Sequence, residues 1–319
     1  MPSYSGIWSL SQQFQAVGQG LWPPNFVPDG TFAIFALGNT SAGRVATRNK
    51  YTYAGCSVGA GGAATVASAG GSAAGNTTVG IFALGYNSGS TRITTRDKYT
   101  YSGCVVSAGA AASAASQSGS AAGNRTCGVF ALGFTGVAVA TREGYNYAGC
   151  VASSATNATA ASYSGSAAGN STVGIFALGT AGATRVTTRD KYTYSSNAVT
   201  AGGAATVASA GGSAAGNSTV GIFALGTPCG CFGVTTRNKY TYSGDVVSAG
   251  GAATAASQQG SAAGNSATGI FALGCVSGFN SSTRDKYTYS GCVVSSGGSA
   301  TTASSAGSAA ANGAIGVNT

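Results

Sequence analysis

The chain has 319 residues, 53 of them glycine, and only 7% of its residues are charged, against about 25% in ordinary globular proteins. Histidine is absent, which excludes Ser-His-Asp and Cys-His nucleophilic catalysis, histidine metal sites and histidine pH switches. The formal net charge is +9, yet 44% hydrophobic residues, with 12 Phe and 15 Tyr, argue for a packed core rather than a charged disordered chain.

Residues 1–31 differ in character from the rest of the chain. They hold both tryptophans, Trp8 and Trp22, together with Phe14. Pro23-Pro24 and Pro28-Asp29-Gly30 punctuate a linker. The first basic side chain is Arg44, and neither the positive n-region nor the apolar h-region of a secretory signal is visible. Later uncharged stretches, such as residues 99–124, are Ala/Ser/Gly-rich and too polar for a membrane span. No membrane insertion is expected.

From residue 32 onward one phrase recurs six times. It reads Ile34-Phe35-Ala36-Leu37-Gly38, then Gly80-Ile81-Phe82-Ala83-Leu84-Gly85, and returns around Phe130, Phe176, Phe223 and Phe271. The spacings between those phenylalanines are 47, 48, 46, 47 and 48 residues. A fixed period of this size marks a repeat architecture. Each repeat has four pieces. The apolar run suits a strand buried on both faces. Thr95 to Tyr101 comes second, where alternation puts Arg96, Lys98 and Thr100 on one face and Asp97, Tyr99 and Tyr101 on the other. Next come Val105 to Gly109 and a small-residue segment ending in Gly119 to Asn124. Gly-Asn is expected to make the tight turn into the next apolar run, because both residues tolerate positive φ.

Four short strands in each period predict one blade of a β-propeller. The small-residue strand belongs innermost, where strands converge on an axis; the apolar, tyrosine and Val-Val strands are placed successively outward. The first repeat begins without a small-residue strand, and the last ends with a spare one near residues 304–311. The expected fold is therefore all-β: a six-bladed β-propeller over residues 32–319, with four-stranded repeats of about 47 residues. It is closed by pairing of the N- and C-terminal strands, which removes an exposed edge. Residues 1–31 form an N-terminal extension.

Several side chains invite a functional reading. Arg48, Arg96, Arg142, Arg189, Arg237 and Arg284 recur at one position. They can form a cationic ring for phosphate or anionic glycan, or they can pair with Asp, Asn or carbonyl groups between blades. A residue present in every blade usually builds the blade, so the second reading is preferred. Most tyrosines sit in paired Tyr-x-Tyr positions and are assigned to the core. Nucleic-acid binding, which favours a basic stripe with exposed stacking aromatics, is not expected. Cys56, Cys104, Cys150 and Cys292 share a position occupied elsewhere by Asn197 and Asp245, as a turn residue would. Cys229, Cys231 and Cys275 lie in loops; no Cys-x-x-Cys pair exists, and neither a metal nor another cofactor is expected. The loops after the apolar strands vary in length and sequence. Variable loops on a rigid repeat are where binding usually resides, so Tyr86, Arg92, Phe134, Arg185, Phe232 and Phe279 are the candidate binding residues.

The blade pattern resembles the kelch family of β-propellers over about residues 32–315, in its period, its apolar strand ending in Leu-Gly and its tyrosine-containing third strand. It departs from kelch in carrying Val-Val where a fourth-strand Trp is usual. The resemblance implies a binding protein without naming a partner; a kelch-like copper oxidase would need histidine ligands that this chain lacks. Residues 5–24, from Ser5-Gly6-Ile7-Trp8 to Leu21-Trp22-Pro23-Pro24, resemble short N-terminal segments of bacteriophage virion and tail proteins. That resemblance implies a non-enzymatic structural or binding protein of a phage particle. Trp8, Phe14 and Trp22 would attach it to other virion proteins, with the propeller displayed towards a host-surface glycan or protein. The alternative is a bacterial surface or secreted adhesin that binds glycans through the variable loops.

Overall fold

A computed structural model describes residues 30–228 and 232–313. The attachment residues Trp8, Phe14 and Trp22 lie outside the described residues, as do Cys229 and Cys231. Gly30 and Thr31, placed in the linker by sequence, belong to the folded body. Asn265 Nδ2 donates to the Gly30 carbonyl at 3.0 Å, and Tyr53 N–H donates to the Thr31 carbonyl at 3.0 Å.

Each repeat builds a four-stranded antiparallel sheet, and six such sheets occur among the described residues. The second contains Ser72–Gly75, Val79–Ala83, Arg96–Thr100 and Val105–Ala108, side by side in that order. The first sheet takes its small-residue strand from the far end of the chain. Ser308–Ala311 pairs with Phe32–Ala36, setting Ile34 opposite Ala310. The chain is all-β and propeller-like. Among the described residues no α-helix occurs, and the helical pieces are 3-10 turns such as Ala54–Cys56.

Side-chain size explains the order of the strands. The small-residue strand is buried at every position and lies against its counterparts in two neighbouring sheets, Ser120–Gly123 and Ser308–Ala311. Larger groups would hold these backbones apart. In the apolar strand, Phe82 packs against Ile34 of the first sheet while Ile81 packs against Phe130 of the third. Both faces are therefore buried. Six apolar clusters are formed in this way, each shared by two sheets. Each fully buried Phe or Ile contributes about 1.5–3 kcal/mol. Glycine is required where a tyrosine hydroxyl approaches the backbone: a Cβ on Gly80 would lie 2.8 Å from Tyr101 Oη. The Leu-Gly ending also has a backbone cause. Gly85 has φ +77°, and a Cβ there would meet the Ala69 carbonyl oxygen at 2.3 Å.

Polar contacts join the sheets as well. Arg48 donates to Asp97 of the next sheet at 2.8 Å, Arg142 to Asp190 at 2.7 Å and Arg237 to Asp285 at 2.7 Å. Arg96 pairs likewise with Glu143. Arg189 and Arg284 meet Asn238 and Asn49 instead, each at 3.1 Å. All six guanidinium carbons lie over a phenylalanine of the neighbouring sheet, 4.5–4.8 Å from the ring centroid. The repeated arginine is thus an element of blade construction.

A second series of bonds runs between sheets through the backbone. Ser118 N–H donates to the Gly70 carbonyl, Ser164 to Ser118, Gly211 to Ser164, Gln259 to Gly211, Ala306 to Gln259 and Gly70 to Ala306, all at 2.7–2.8 Å. All six residues have φ between +51° and +66°.

Two turns differ in detail from expectation or give it a mechanism. The turn before each apolar strand does not use positive φ at Gly75 or Asn76. It is held by the Asn76 side chain, whose Oδ1 accepts from the backbone N–H groups of Thr78 and Val79, both at 2.9 Å. Asn124, Asn170 and Asn217 repeat this arrangement. Turn chemistry accounts for the recurrent Asn-x-Thr spelling. The shared cysteine position is left-handed throughout: φ is 51° at Cys56, 55° at Cys104, 51° at Cys150, 52° at Asn197, 54° at Asp245 and 54° at Cys292. Asn and Asp are the non-glycine residues that best tolerate this region.

Candidate functional site

The variable loops lie at the end of the sheets that also carries the connections into the small-residue strands. They are more regular than their sequences suggest. Asn39–Thr40 pairs with Gly43–Arg44, and Thr180–Ala181 pairs with both Thr184–Arg185 and Ser162–Tyr163. Cys275–Val276 pairs with Phe279–Asn280 and with Ser257–Gln258. Ser68–Ala69 pairs with Tyr86–Asn87. These ribbons fix the backbone from which the candidate side chains project.

Cations and aromatic rings alternate across this face. The Arg44 guanidinium lies 4.5 Å from the Tyr86 ring centroid, and its Nη1 donates to the Ser88 carbonyl at 3.0 Å. Tyr86 is bridged through the backbone to Arg92. Arg92 lies 5.3 Å from the Phe134 centroid, and Phe134 meets Tyr163 edge-on with centroids 5.5 Å apart. The row Arg44, Tyr86, Arg92, Phe134, Tyr163 crosses from the loop of the first sheet to the segment that leads into the small-residue strand of the fourth sheet. A cation over an aromatic face near the surface contributes about 0.5–1 kcal/mol.

Of the residues expected from sequence, Tyr86, Arg92 and Phe134 come together in this row. Arg185 is half-buried on the outer strand of the ribbon that contains Tyr163, with Thr180–Ala181 between them. Phe232 and Phe279 stand elsewhere on the loops and are 75% and 78% exposed. Sequence reasoning did not select Tyr163. Its signal was there: Tyr163 is the aromatic that interrupts an otherwise Ala/Ser/Gly/Thr-rich segment. Arg44, part of the same loop set, completes the row.

The electrostatics of the face result from where the acids went. Asp97, Glu143, Asp190 and Asp285 are buried between sheets, and Asp245 sits on a turn at the opposite end, bonded to Lys191 at 2.9 Å. Arg44, Arg92 and Arg185 make no ion pair among the described residues. The loop face therefore presents guanidinium groups over the half-buried rings of Tyr86 and Phe134, with the exposed rings of Phe232 and Phe279 elsewhere on it. Such a surface can stack on a sugar ring and hydrogen-bond its hydroxyl or acidic substituents. Among the described residues, no three Cys, Asp or Glu side chains gather as they would around a metal ion.

The core of the sheets carries the perturbed titrations. Burial lowers Arg189 and Arg284 to about 10, with no carboxylate beside them to oppose it. Burial raises Tyr99 and Tyr287 to about 12, helped by hydrogen bonds to Cys104 and Cys292. These groups belong to packing rather than to the loop face. No family model matches the sequence, and comparison with curated proteins finds no match.

Proposed function

We propose that the six sheets close into a six-bladed propeller and that the chain is a non-enzymatic binding protein of a bacteriophage particle, displaying its loop face to a host-surface glycan or protein. Closure is supported by the pairing of Phe32–Ala36 with Ser308–Ala311 and by the backbone series that runs from Gly70 through all six repeats and returns to Gly70. The observation that carries the binding role is Arg92 stacked over Phe134 on a face where the described residues set no acid against it. Attachment through Trp8, Phe14 and Trp22 rests on the resemblance of residues 5–24 to phage virion segments. A surface or secreted adhesin is the second reading. The exposure of Phe232 and Phe279 suits glycan stacking in either setting.

A glycan array probed with the full chain and with Arg92→Ala/Phe134→Ala tests the binding face. Signal from the parent and at least tenfold less from the variant is the expected result. A blank array together with no binding to whole bacterial cells would remove the binding role. Immunodetection on purified phage particles separates the two settings, because protein confined to host envelope fractions leaves the adhesin alone. Residues 1–24 are then deleted, and unchanged incorporation would sink the anchor.

A further inference from the structure

The six inter-sheet arginines do not have equal partners. Four face a carboxylate, whereas Arg189 and Arg284 face the neutral amides of Asn238 and Asn49. Both are 1% exposed. Each asparagine is already committed. Asn49 Oδ1 also accepts from Thr301 N–H at 3.1 Å, and its Nδ2 donates to Thr301 Oγ1 at 2.8 Å. Asn238 is tied to Thr206 in the same way, at 3.1 and 2.8 Å. Neither can supply charge. A buried guanidinium without a counter-charge is costly, since desolvation is not offset by attraction.

Beside these arginines the sheets leave small pockets. The one next to Arg284 lies between the last and first sheets and includes Phe35, Ser261, Ser282 and Ser304. Its counterpart next to Arg189 includes Ser166, Thr188 and Phe223. Each leaves room for one water-sized particle against the arginine. Arg284 Nε and Nη1 and Arg189 Nε are buried donors without a hydrogen-bond partner among the described residues. Pockets of the same size adjoin Arg96 and Arg142, whose Nε and Nη1 are likewise unpartnered but whose Nη2 atoms meet Glu143 and Asp190. The four sites thus share a shape and differ in charge.

We propose that the pockets beside Arg284 and Arg189 each bind a monatomic anion of the halide class, which supplies the negative charge that carboxylates supply in the other repeats. The pockets beside Arg96 and Arg142 are already neutralised and take water. Hydroxyl-bearing walls and a guanidinium edge suit a small spherical anion. This site is independent of the loop face and of any phage role.

Bromide provides the probe. Crystals of the full chain soaked in sodium bromide are expected to show anomalous peaks within hydrogen-bond distance of Arg284 Nε and Arg189 Nε, and none beside Arg96 or Arg142. Peaks at none of the four, or equally at all four, would overturn the proposal. In solution, replacing gluconate by chloride at fixed ionic strength should raise the Tm of the parent chain by a few degrees. It should leave Asn49→Asp/Asn238→Asp unmoved. A parent Tm indifferent to the exchange counts against the site. Should the double variant fail to fold, the bromide positions in the parent still decide the matter.

Discussion

Arg284 lies over the ring of Phe35, its guanidinium carbon 4.6 Å from the centroid, although the two residues stand near opposite ends of the chain. The same contact joins Arg48 to Phe82 and Arg142 to Phe176 between consecutive repeats. In the second sheet Phe82 is paired across strands with Asp97, so one face offers an incoming arginine a ring and a carboxylate together. Four of the chain's six acids and six of its 15 basic residues are used in this joint.

Breaking one joint should be expensive. Arg142→Ala leaves Asp190 buried without its cation and removes a stacked group. Loss of about 3–5 kcal/mol is expected by denaturant titration. A loss under about 1 kcal/mol would mean that the buried pair adds little to cohesion.

Restoring a carboxylate should do the reverse. Asn238→Asp gives Arg189 the partner its equivalents have, with Thr206 placed as Thr65 and Thr159 are against Asp97 and Asp190. A gain of about 1.5–3 kcal/mol is expected, the range of hydrogen bonds to charged groups, measured in chloride-free buffer. A less stable variant would contradict this account of the asparagine sheets.

The glycine pairs beside the tyrosine hydroxyls give a steric test. A Cβ at Gly128 would sit 2.8 Å from Tyr147 Oη and 3.1 Å from Ala74 Cβ. Gly128→Ala should cost about 1–3 kcal/mol through overpacking. Adding Tyr147→Phe should recover part of that loss, and strictly additive effects would show that the hydroxyl is not the obstruction.

Alkaline pH should unfold the protein cooperatively. Tyr99 and Tyr287 are raised from 10.0 to about 12 chiefly by burial, and Tyr147, Tyr194 and Tyr289 are raised further. A phenol whose folded value exceeds its unfolded value stabilises fully below the unfolded value. That contribution is lost as pH rises through the folded one. Stability should therefore hold up to about pH 10 and decline from 10 to 12, with tyrosinate absorbance appearing in step with loss of sheet. Ionisation of most tyrosines in still-folded protein would refute the buried placement.

The left-handed turn at Cys150 distinguishes backbone from side-chain needs. Cys150→Val places a β-branched residue at φ 51° and should be clearly destabilising. Cys150→Asp should be tolerated, because Lys98 Nζ lies 3.1 Å from Sγ and can pair with the new carboxylate as Lys191 does with Asp245. Thermal melts of the two variants compare these outcomes directly.

Strand order was legible because burial imposes composition. Ser72–Gly75 could only be an inner strand, and Val79–Ala83 only a doubly covered one. The position shared by Cys, Asn and Asp betrayed its left-handed turn for a similar reason. The ribbons at Asn39–Arg44 and Thr180–Arg185 stayed hidden, since two-residue strands show no alternation and depend on backbone bonds to distant segments. The turn at Asn76 was located correctly but given the wrong mechanism, because φ cannot be told from side-chain capping by residue type. In the binding row, Tyr86, Arg92 and Phe134 stood out as irregular loop residues. Tyr163 did not, because its role arises from a neighbouring ribbon rather than from its own segment.

The pairing of Ile34 with Ala310 has a consequence for synthesis. Strands leave the ribosome in sequence order, and domains generally begin to fold as they emerge. The second to sixth sheets can each assemble from contiguous chain. The strand Phe32–Ala36 must wait with one edge uncovered until Ser308–Ala311, made after the strands of all the other sheets, has emerged. During that interval the nascent protein carries an open apolar edge, the stage at which chaperone capture, stalling or C-terminal truncation would do most harm.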